Sequence, residues 1–172
     1  NIPKYNNKLV LELSSFQLDY INVIKPKVAI ITNIKKDHLI HHGSYKNYIN
    51  SKLKISTFQG SNDFIILNYD DQVLRKRFYK IKKNKAKVIW VSEMKALKKG
   101  IYINNNILQD NYFERKKLTL SKSPFLNLSH NRLNAALSYA ALKIFNYETS
   151  YTMKQLSLFK GLPHRLELIG TI

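Results

Sequence analysis

The chain has 172 residues, a length that suits one domain with a sizeable hydrophobic core. It contains no cysteine, which excludes a disulfide framework and thiolate metal sites and fits a reducing compartment. No apolar run is long enough to span a bilayer, and no charged-then-apolar pattern typical of a signal peptide occurs in the sequence. The formal charge of +18 invites a nucleic-acid interpretation, but the lysines are spread along the chain, which favours a solvated basic surface.

Residues 9–13, Leu-Val-Leu-Glu-Leu, predict a strand buried on both faces of a parallel sheet. Glu12 lies near the carboxyl end of that strand, and ligands of open α/β sheets collect at this edge. Glu12 is therefore a candidate metal ligand. The alternative is a structural carboxylate held by a nearby lysine or by the backbone amides of Ser14 and Ser15.

The remaining pattern predicts an α/β fold with a mostly parallel sheet flanked by helices. Residues 16–24 are interpreted as a short apolar connection, and the later alternating pieces predict a small antiparallel β appendage. Asn33 follows the second strand at its carboxyl end. The predicted strands after the first are residues 28–32, 64–67 and 87–91, with 100–103 and 117–120 in the appendage.

Capping residues and the helical periodicity of apolar residues predict three helices. Ser44 predicts the start of a helix that carries Lys52 and ends at about Phe58. Ser129 opens the longest helix, and residues 151–159 form the last amphipathic one. The three histidines and one aspartate of residues 37–42 suggest a metal site by composition. Adjacent histidines in a loop are not a preorganised ligand set, however, and are interpreted as solvated.

Residues 10–18, Val-Leu-Glu-Leu-Ser-Ser-Phe-Gln-Leu, resemble the central-domain signature of the Mur ligases. They match the sequence variant of that signature found in the branch that adds D-glutamate. Three further blocks follow in the family's order: residues 33–43, the Lys52 helix, and residues 161–167. The resemblance implies a P-loop-NTPase-like central ATPase domain over residues 1–165. Residues 166–172 are expected to be a linker toward a C-terminal domain.

The resemblance also implies roles for particular residues. The metal ligands for Mg²⁺ are expected to be Glu12, His38 and a carbamylated Lys52, of which His38 and Lys52 are also catalytic. The residues expected near ATP are Asn131, Asn134 and Arg165, and those near the substrate are Ser14 and Ser15. The sequence departs from the family at Ile40 and His41, which stand where the family commonly has Asp and Arg.

The implied activity is ATP-dependent ligation of D-glutamate to UDP-N-acetylmuramoyl-L-alanine through an acyl phosphate, in peptidoglycan precursor synthesis. The implied enzyme is a monomer of the bacterial cytoplasm, with no specific nucleic acid and no membrane insertion. The sequence contains no Gly-x-x-x-x-Gly-Lys-Ser/Thr motif and opens on Asn, so we expect a fragment that is inactive alone. The alternatives are a folylpolyglutamate synthase-like domain, a basic nucleic-acid-binding module and a non-catalytic remnant.

Overall fold

The computed structural model describes residues 8–82, 85–120, 126, 128–159 and 161–162. Its strands are β1 (Val28–Ile31), β2 (Phe64–Asn68), β3 (Lys87–Ser92), β4 (Ile101–Asn104), β5 (Ile107–Asp110) and β6 (Lys116–Thr119). Its helices are α1 (Ser15–Tyr20), α2 (Leu39–His42), α3 (Tyr45–Leu53), α4 (Gln72–Lys82), α5 (Ser129–Ile144) and α6 (Thr149–Leu158), and a short 3-10 turn, Lys54–Ser56, follows α3. No helix within the described residues combines the length and apolarity needed to cross a membrane.

The six strands form one sheet in the order β1-β2-β3-β4-β5-β6. Strands β1 to β4 pair in parallel, and β4, β5 and β6 pair antiparallel. The α/β fold with a mostly parallel sheet is therefore confirmed. The antiparallel strands differ in one respect from the predicted appendage: they continue the main sheet at its edge, because β4 belongs to both parts.

Helices cover both faces of the parallel strands, which explains why β2 shows no polar alternation. Ile65 and Leu67 of β2 pack on one face with residues of α3 and α4. Ile66 packs on the other face with α5. All three side chains are fully buried. An unbroken apolar run is the pattern expected of a strand covered on both sides.

The predicted strand at residues 9–13 is wrong. The structure assigns no strand to this segment, and Leu9, Val10 and Leu11 are 79%, 90% and 60% exposed. An apolar run becomes a buried strand only where a neighbouring strand accepts its backbone hydrogen bonds. Among the described residues β1 pairs with β2 alone, so the segment has no such partner.

Residues 16–24 also differ from the prediction, because the short helix α1 lies where a plain connection was expected. Ser14 caps this helix: its hydroxyl accepts from the Gln17 backbone N–H at 3.2 Å, and Gln17 Oε1 accepts from the Ser14 backbone N–H at 2.8 Å. This reciprocal pair is a capping box. The predicted Ser44 cap is confirmed by a bond from the Asn47 backbone N–H at 3.1 Å.

A buried polar network fixes the antiparallel end of the sheet. Asp110 is fully buried and accepts hydrogen bonds from three backbone N–H groups, those of residues 112, 113 and 114, and from the Tyr139 hydroxyl at 2.9 Å. Burial, and next the Asp110 charge, raise the pKa of Tyr139. Beside it, a hydrogen bond from Lys143 is the main cause that lowers the pKa of Glu114 to about 2.

Candidate functional site at the carboxyl ends of the parallel strands

Polar side chains connect the loops that follow β1, β2 and β3. Asp71, which caps α4, accepts a hydrogen bond from the Ile34 backbone N–H at 2.7 Å and so ties the end of β2 to the end of β1. Asp70 accepts from Ser92 Oγ at 2.6 Å and from the Glu93 backbone N–H at 2.8 Å. These bonds link the ends of the three strands, where ligands of such sheets bind, into one hydrogen-bonded row.

The row ends at the first turn of α5. Arg132 donates from Nε to the Glu93 carboxylate at 2.9 Å. A groove of about 640 Å³ opens beside this ion pair, between the end of β3, the turn after β4 and α5. Its lining residues are Glu93–Ala96, Tyr102–Asn106 and Arg132. The groove therefore lies at the same sheet edge as the predicted site.

The two asparagines predicted to approach ATP flank Arg132 on the first turns of α5. Asn131 is buried and Asn134 is exposed, although residues three apart lie near one face of a helix. Asn134 alone offers its side chain to solvent. Arg165, the third residue predicted near the nucleotide, lies outside the described residues.

Lys52 reaches the same edge from α3. Its Nζ lies 3.4 Å from the Asn33 carbonyl oxygen, just beyond β1, and 5.4 Å from the centre of the Tyr48 ring. The side chain is half-buried rather than fully solvated. Because Asn33 stands at the carboxyl end of β1, the structure brings the Lys52 amine to the strand end where the sequence predicts a metal.

His38 is held at this edge by an unusual backbone and an aromatic contact. It adopts a left-handed conformation with φ of 52°, which is uncommon for a residue with a side chain. Its ring packs edge-on against Phe16, with centroids 4.8 Å apart, and its Nε2 lies 3.3 Å from Asp37. The imidazole remains half exposed, so it can accept a ligand.

Glu12 is exposed, and the argument that a strand end positions it no longer applies. Contacts at the two ends of its segment, Lys8 and Phe16, show where the segment lies. The Lys8 ammonium lies over the rings of Phe145 and Tyr147, just after α5 and opposite its first turn, whereas Phe16 contacts His38. The segment therefore begins beside the residues that follow α5 and ends beside His38, and Glu12 lies between these two points in the chain.

Ser14 and Ser15, predicted near the substrate, both have partners within the protein. The Ser14 hydroxyl serves the capping box of α1. Ser15 is buried, and its Oγ lies 3.0 Å from His42 Nε2. These contacts give both hydroxyls a structural role in shaping the loop before α1.

The interpretation of His41 and His42 as solvated loop residues is wrong for His42, whose side chain is only 1% exposed. His42 Nδ1 lies 3.0 Å from Asp19 Oδ2, and His41 Nε2 lies 3.5 Å from the same oxygen. The sequence carried one signal of this cluster. Ser15 and Asp19 are four residues apart, a spacing that brings them to one face of α1 once that helix is recognised.

Comparison with known proteins identifies the family of this domain. Residues 3–142 match the Mur ligase middle domain. The UDP-N-acetylmuramoylalanine--D-glutamate ligase of Rickettsia bellii is 38% identical over 164 residues, which are 95% of this chain and 36% of that protein. The chain thus spans about a third of the length of this curated relative.

Solved structures share the fold at low sequence identity. A UDP-N-acetylmuramoyl-L-alanyl-D-glutamate--2,6-diaminopimelate ligase superposes with a TM-score of 0.68 at 17% identity, over 93% of this chain and 34% of that one. The MurF ligase of Thermotoga maritima, solved in complex with ADP, gives 0.59 at 18% identity, over 82% and 32%. Since the matched middle domain covers most of the described sheet and helices, the chain belongs to the Mur ligase family.

Proposed function

We propose that the protein containing this chain is an ATP-dependent ligase that adds D-glutamate to UDP-N-acetylmuramoyl-L-alanine in the cytoplasm of a bacterium, as a step of peptidoglycan precursor synthesis. The observation that carries this proposal is the 38% identity to a D-glutamate ligase over 95% of the chain. The signature at residues 10–18 supports the same branch of the family. In the proposed protein, residues 1–165 are the central domain and residues 166–172 lead into the next one.

The reaction has three steps. The carboxylate of the L-alanyl group attacks the γ-phosphorus of ATP, which forms an acyl phosphate and releases ADP. The amine of D-glutamate then attacks the acyl carbon and loses a proton. The tetrahedral intermediate collapses to the amide and inorganic phosphate. Such phosphoryl transfers are accelerated mainly by positioning and by neutralising charge. The hydrogen-bonded row of strand-end residues can provide the positioning.

The nucleotide is assigned to the first turns of α5. The ADP complex of the Thermotoga maritima relative supports nucleotide use by this fold. In this chain the exposed Asn134 and the groove beside Arg132 lie at the same sheet edge as Lys52. We assign Asn131 to supporting this turn, since it is buried, and Arg165 to the nucleotide by resemblance.

Glu12, His38 and Lys52 fit Mg²⁺ under one condition. A carboxylate and an imidazole with open positions suit the ion, but an ammonium repels it. Carbamylation would convert the Lys52 amine into a carboxylate that can bind the metal. The ammonium that lies 3.4 Å from the Asn33 carbonyl oxygen would then be lost as a donor to that oxygen. Bound Mg²⁺ would neutralise phosphate charge during transfer.

An assay of the intact protein tests the proposal. Release of inorganic phosphate from ATP should require both UDP-N-acetylmuramoyl-L-alanine and D-glutamate, and the product should gain one glutamyl group by mass spectrometry. L-glutamate should not replace D-glutamate. Turnover with a folate and L-glutamate, but not with the muramoyl substrate, would instead establish the folylpolyglutamate synthase-like alternative.

A further inference from the structure

A second ligand cluster lies beside the proposed active site. Asp19 of α1 and the adjacent His41 and His42 of α2 bring three ligand atoms, one from each side chain, within 4.8 Å of one another. None of these residues belongs to the set of Glu12, His38 and Lys52. We propose that this cluster is a binding site for a zinc-like divalent transition-metal ion, separate from the proposed reaction.

The distances between the atoms fit one ion. Bonds of about 2.0–2.2 Å from zinc to imidazole nitrogen and carboxylate oxygen, at tetrahedral angles, put neighbouring ligand atoms about 3.3 Å apart. The Asp19 oxygen lies 3.0 Å from His42 Nδ1 and 3.5 Å from His41 Nε2. Both distances are within a few tenths of an ångström of that separation, and all three ligand atoms lie within 4.8 Å of one another.

The chemistry of the set selects the kind of ion. Two imidazoles and one carboxylate suit zinc, cobalt and nickel better than magnesium, which prefers oxygen ligands and retains water. The side chains of His41 and Asp19 are each 34% exposed, so an ion has access from solvent. Three protein ligands leave a fourth tetrahedral position for water.

The surroundings hold the ligands in place. His42 Nε2 lies 3.0 Å from Ser15 Oγ, so its N–H can donate to that hydroxyl while Nδ1 faces the ion. Such a bond on the second ring nitrogen is the usual way in which a protein orients a metal-binding histidine. The Asn47 amide donates to the His42 carbonyl at 2.9 Å, and the Tyr48 ring packs on the imidazole. The buried ligand is thus preorganised.

The same atoms permit a metal-free arrangement, in which His42 carries its proton on Nδ1, donates to Asp19 and accepts from Ser15. In that arrangement the cluster is only a hydrogen-bonded link between α1 and α2. His41 distinguishes the two arrangements, because it adds only a partly exposed contact of 3.5 Å to Asp19 in the hydrogen-bonded link, whereas the metal site requires its imidazole as a ligand. A bound ion would also connect the two helices and raise the melting temperature with its concentration.

The test is titration of the purified intact protein with Zn²⁺ alone, against a chromophoric chelator. We expect one equivalent to bind, and we expect Asp19→Asn and His41→Ala each to weaken binding by at least the roughly 10–100-fold that loss of a second-shell partner causes. Both side chains are partly exposed, so these variants should fold; circular dichroism checks this. With Co²⁺, the visible absorption should be that of a four-coordinate site and should disappear in His41→Ala.

Two matched variants act as controls. His130→Ala removes an exposed histidine on α5 and should leave the affinity unchanged. His38→Asn removes the neighbouring histidine of the proposed magnesium site and should also leave it unchanged. The proposal is overturned if His41→Ala binds Zn²⁺ as tightly as the unmodified protein, or if His38→Asn abolishes binding while Asp19→Asn does not. Neither result would bear on ligase activity, which is measured separately.

Discussion

The carboxyl-end edge of the parallel strands and the antiparallel end of the sheet both concentrate polar side chains, but they use them differently. At the antiparallel end, Asp110 receives four hydrogen bonds from the protein and is fully sealed from water. At the carboxyl-end edge, His38 and Asn134 keep exposed polar atoms. Polar groups satisfied within the fold stabilise it, whereas groups left open at a sheet edge are available to ligands.

The largest effect that separates the two regions is expected at Lys52. If Lys52 acts as a carbamate, Lys52→Ala should lower the ligation rate of the intact enzyme by orders of magnitude, with little change in stability. Lys52→Glu keeps a carboxylate and should retain measurably more rate and magnesium dependence. Lys52→Arg keeps a positive charge and should be as damaging as alanine. The measurement is steady-state ligation with varied Mg²⁺.

The rank order of these variants decides among three roles. Arginine as the most active variant would identify Lys52 as a cationic phosphate contact and would contradict the carbamate. Three variants with unchanged rate and with stability changes below about 0.5 kcal/mol would make Lys52 a bystander.

A substitution at the antiparallel end should have the opposite signature. Asp110→Ala leaves three backbone N–H groups and the Tyr139 hydroxyl without their acceptor, so we expect a loss of about 3–5 kcal/mol in the free energy of unfolding. Urea denaturation measures it. Tyr139→Phe removes one of those donors and should cost about 1 kcal/mol. A stable Asp110→Ala protein with a reduced ligation rate would contradict the assignment of a structural role to the antiparallel end.

Glu114 gives the antiparallel end a specific pH dependence. Its pKa falls from 4.5 to about 2 in the folded protein, chiefly through the hydrogen bond from Lys143. The folded state therefore gains stability from Glu114 above pH 4.5, and this gain is lost as the pH falls toward 2. Since the side chain is 27% exposed, we expect about 1–2 kcal/mol.

The comparison for Glu114 is Glu114→Gln, which cannot titrate. Urea unfolding at several pH values should show a shallower loss of stability for this variant over the acid range. Identical pH profiles for the two proteins would mean that Lys143 does not stabilise the carboxylate.

The smallest expected effect concerns the cap of α3, the helix that carries Lys52. Ser44→Ala removes the acceptor of the Asn47 backbone N–H and should cost about 1 kcal/mol. Ser138→Ala, at an exposed position within α5, is the control and should stay within about 0.5 kcal/mol. Equal effects of the two changes would show that the cap does not hold α3.

The sequence predicted those parts of the fold whose signals are local. The buried strands β1, β2 and β3 follow from apolar runs, the start of α3 follows from the Ser44 cap, and α5 follows from its helical periodicity. The strand at residues 9–13 was predicted wrongly because a pattern shows apolarity but not a pairing partner. The Asp19–His42 contact was missed because it depends on α1, whose six residues are too few to show a helical period.

The sequence likewise predicted some parts of the candidate site and missed others. The position of Asn33 at a strand end follows from the apolar run before it, whereas the place of Lys52 at the site was expected only from the family resemblance. The structural roles of Ser14 and Ser15, and the burial of His42, depend on contacts between α1 and α2 that no single segment encodes. Whether these residues act on substrate or metal stays a prediction.

The order of the strands in the sheet has a consequence for how the chain folds. Each strand lies beside the strand that precedes it in sequence, so Asn104 pairs with Ile107 across a tight hairpin, whereas Val28 pairs with Phe64 across two helices. Closing a short loop costs less entropy than closing a long one. The antiparallel hairpin should therefore form early, and β1, with the Lys52 end of the site, should dock last. The recovery of ligand binding during refolding would then report on the last stage of folding, and slow refolding phases should be sensitive to changes in β1.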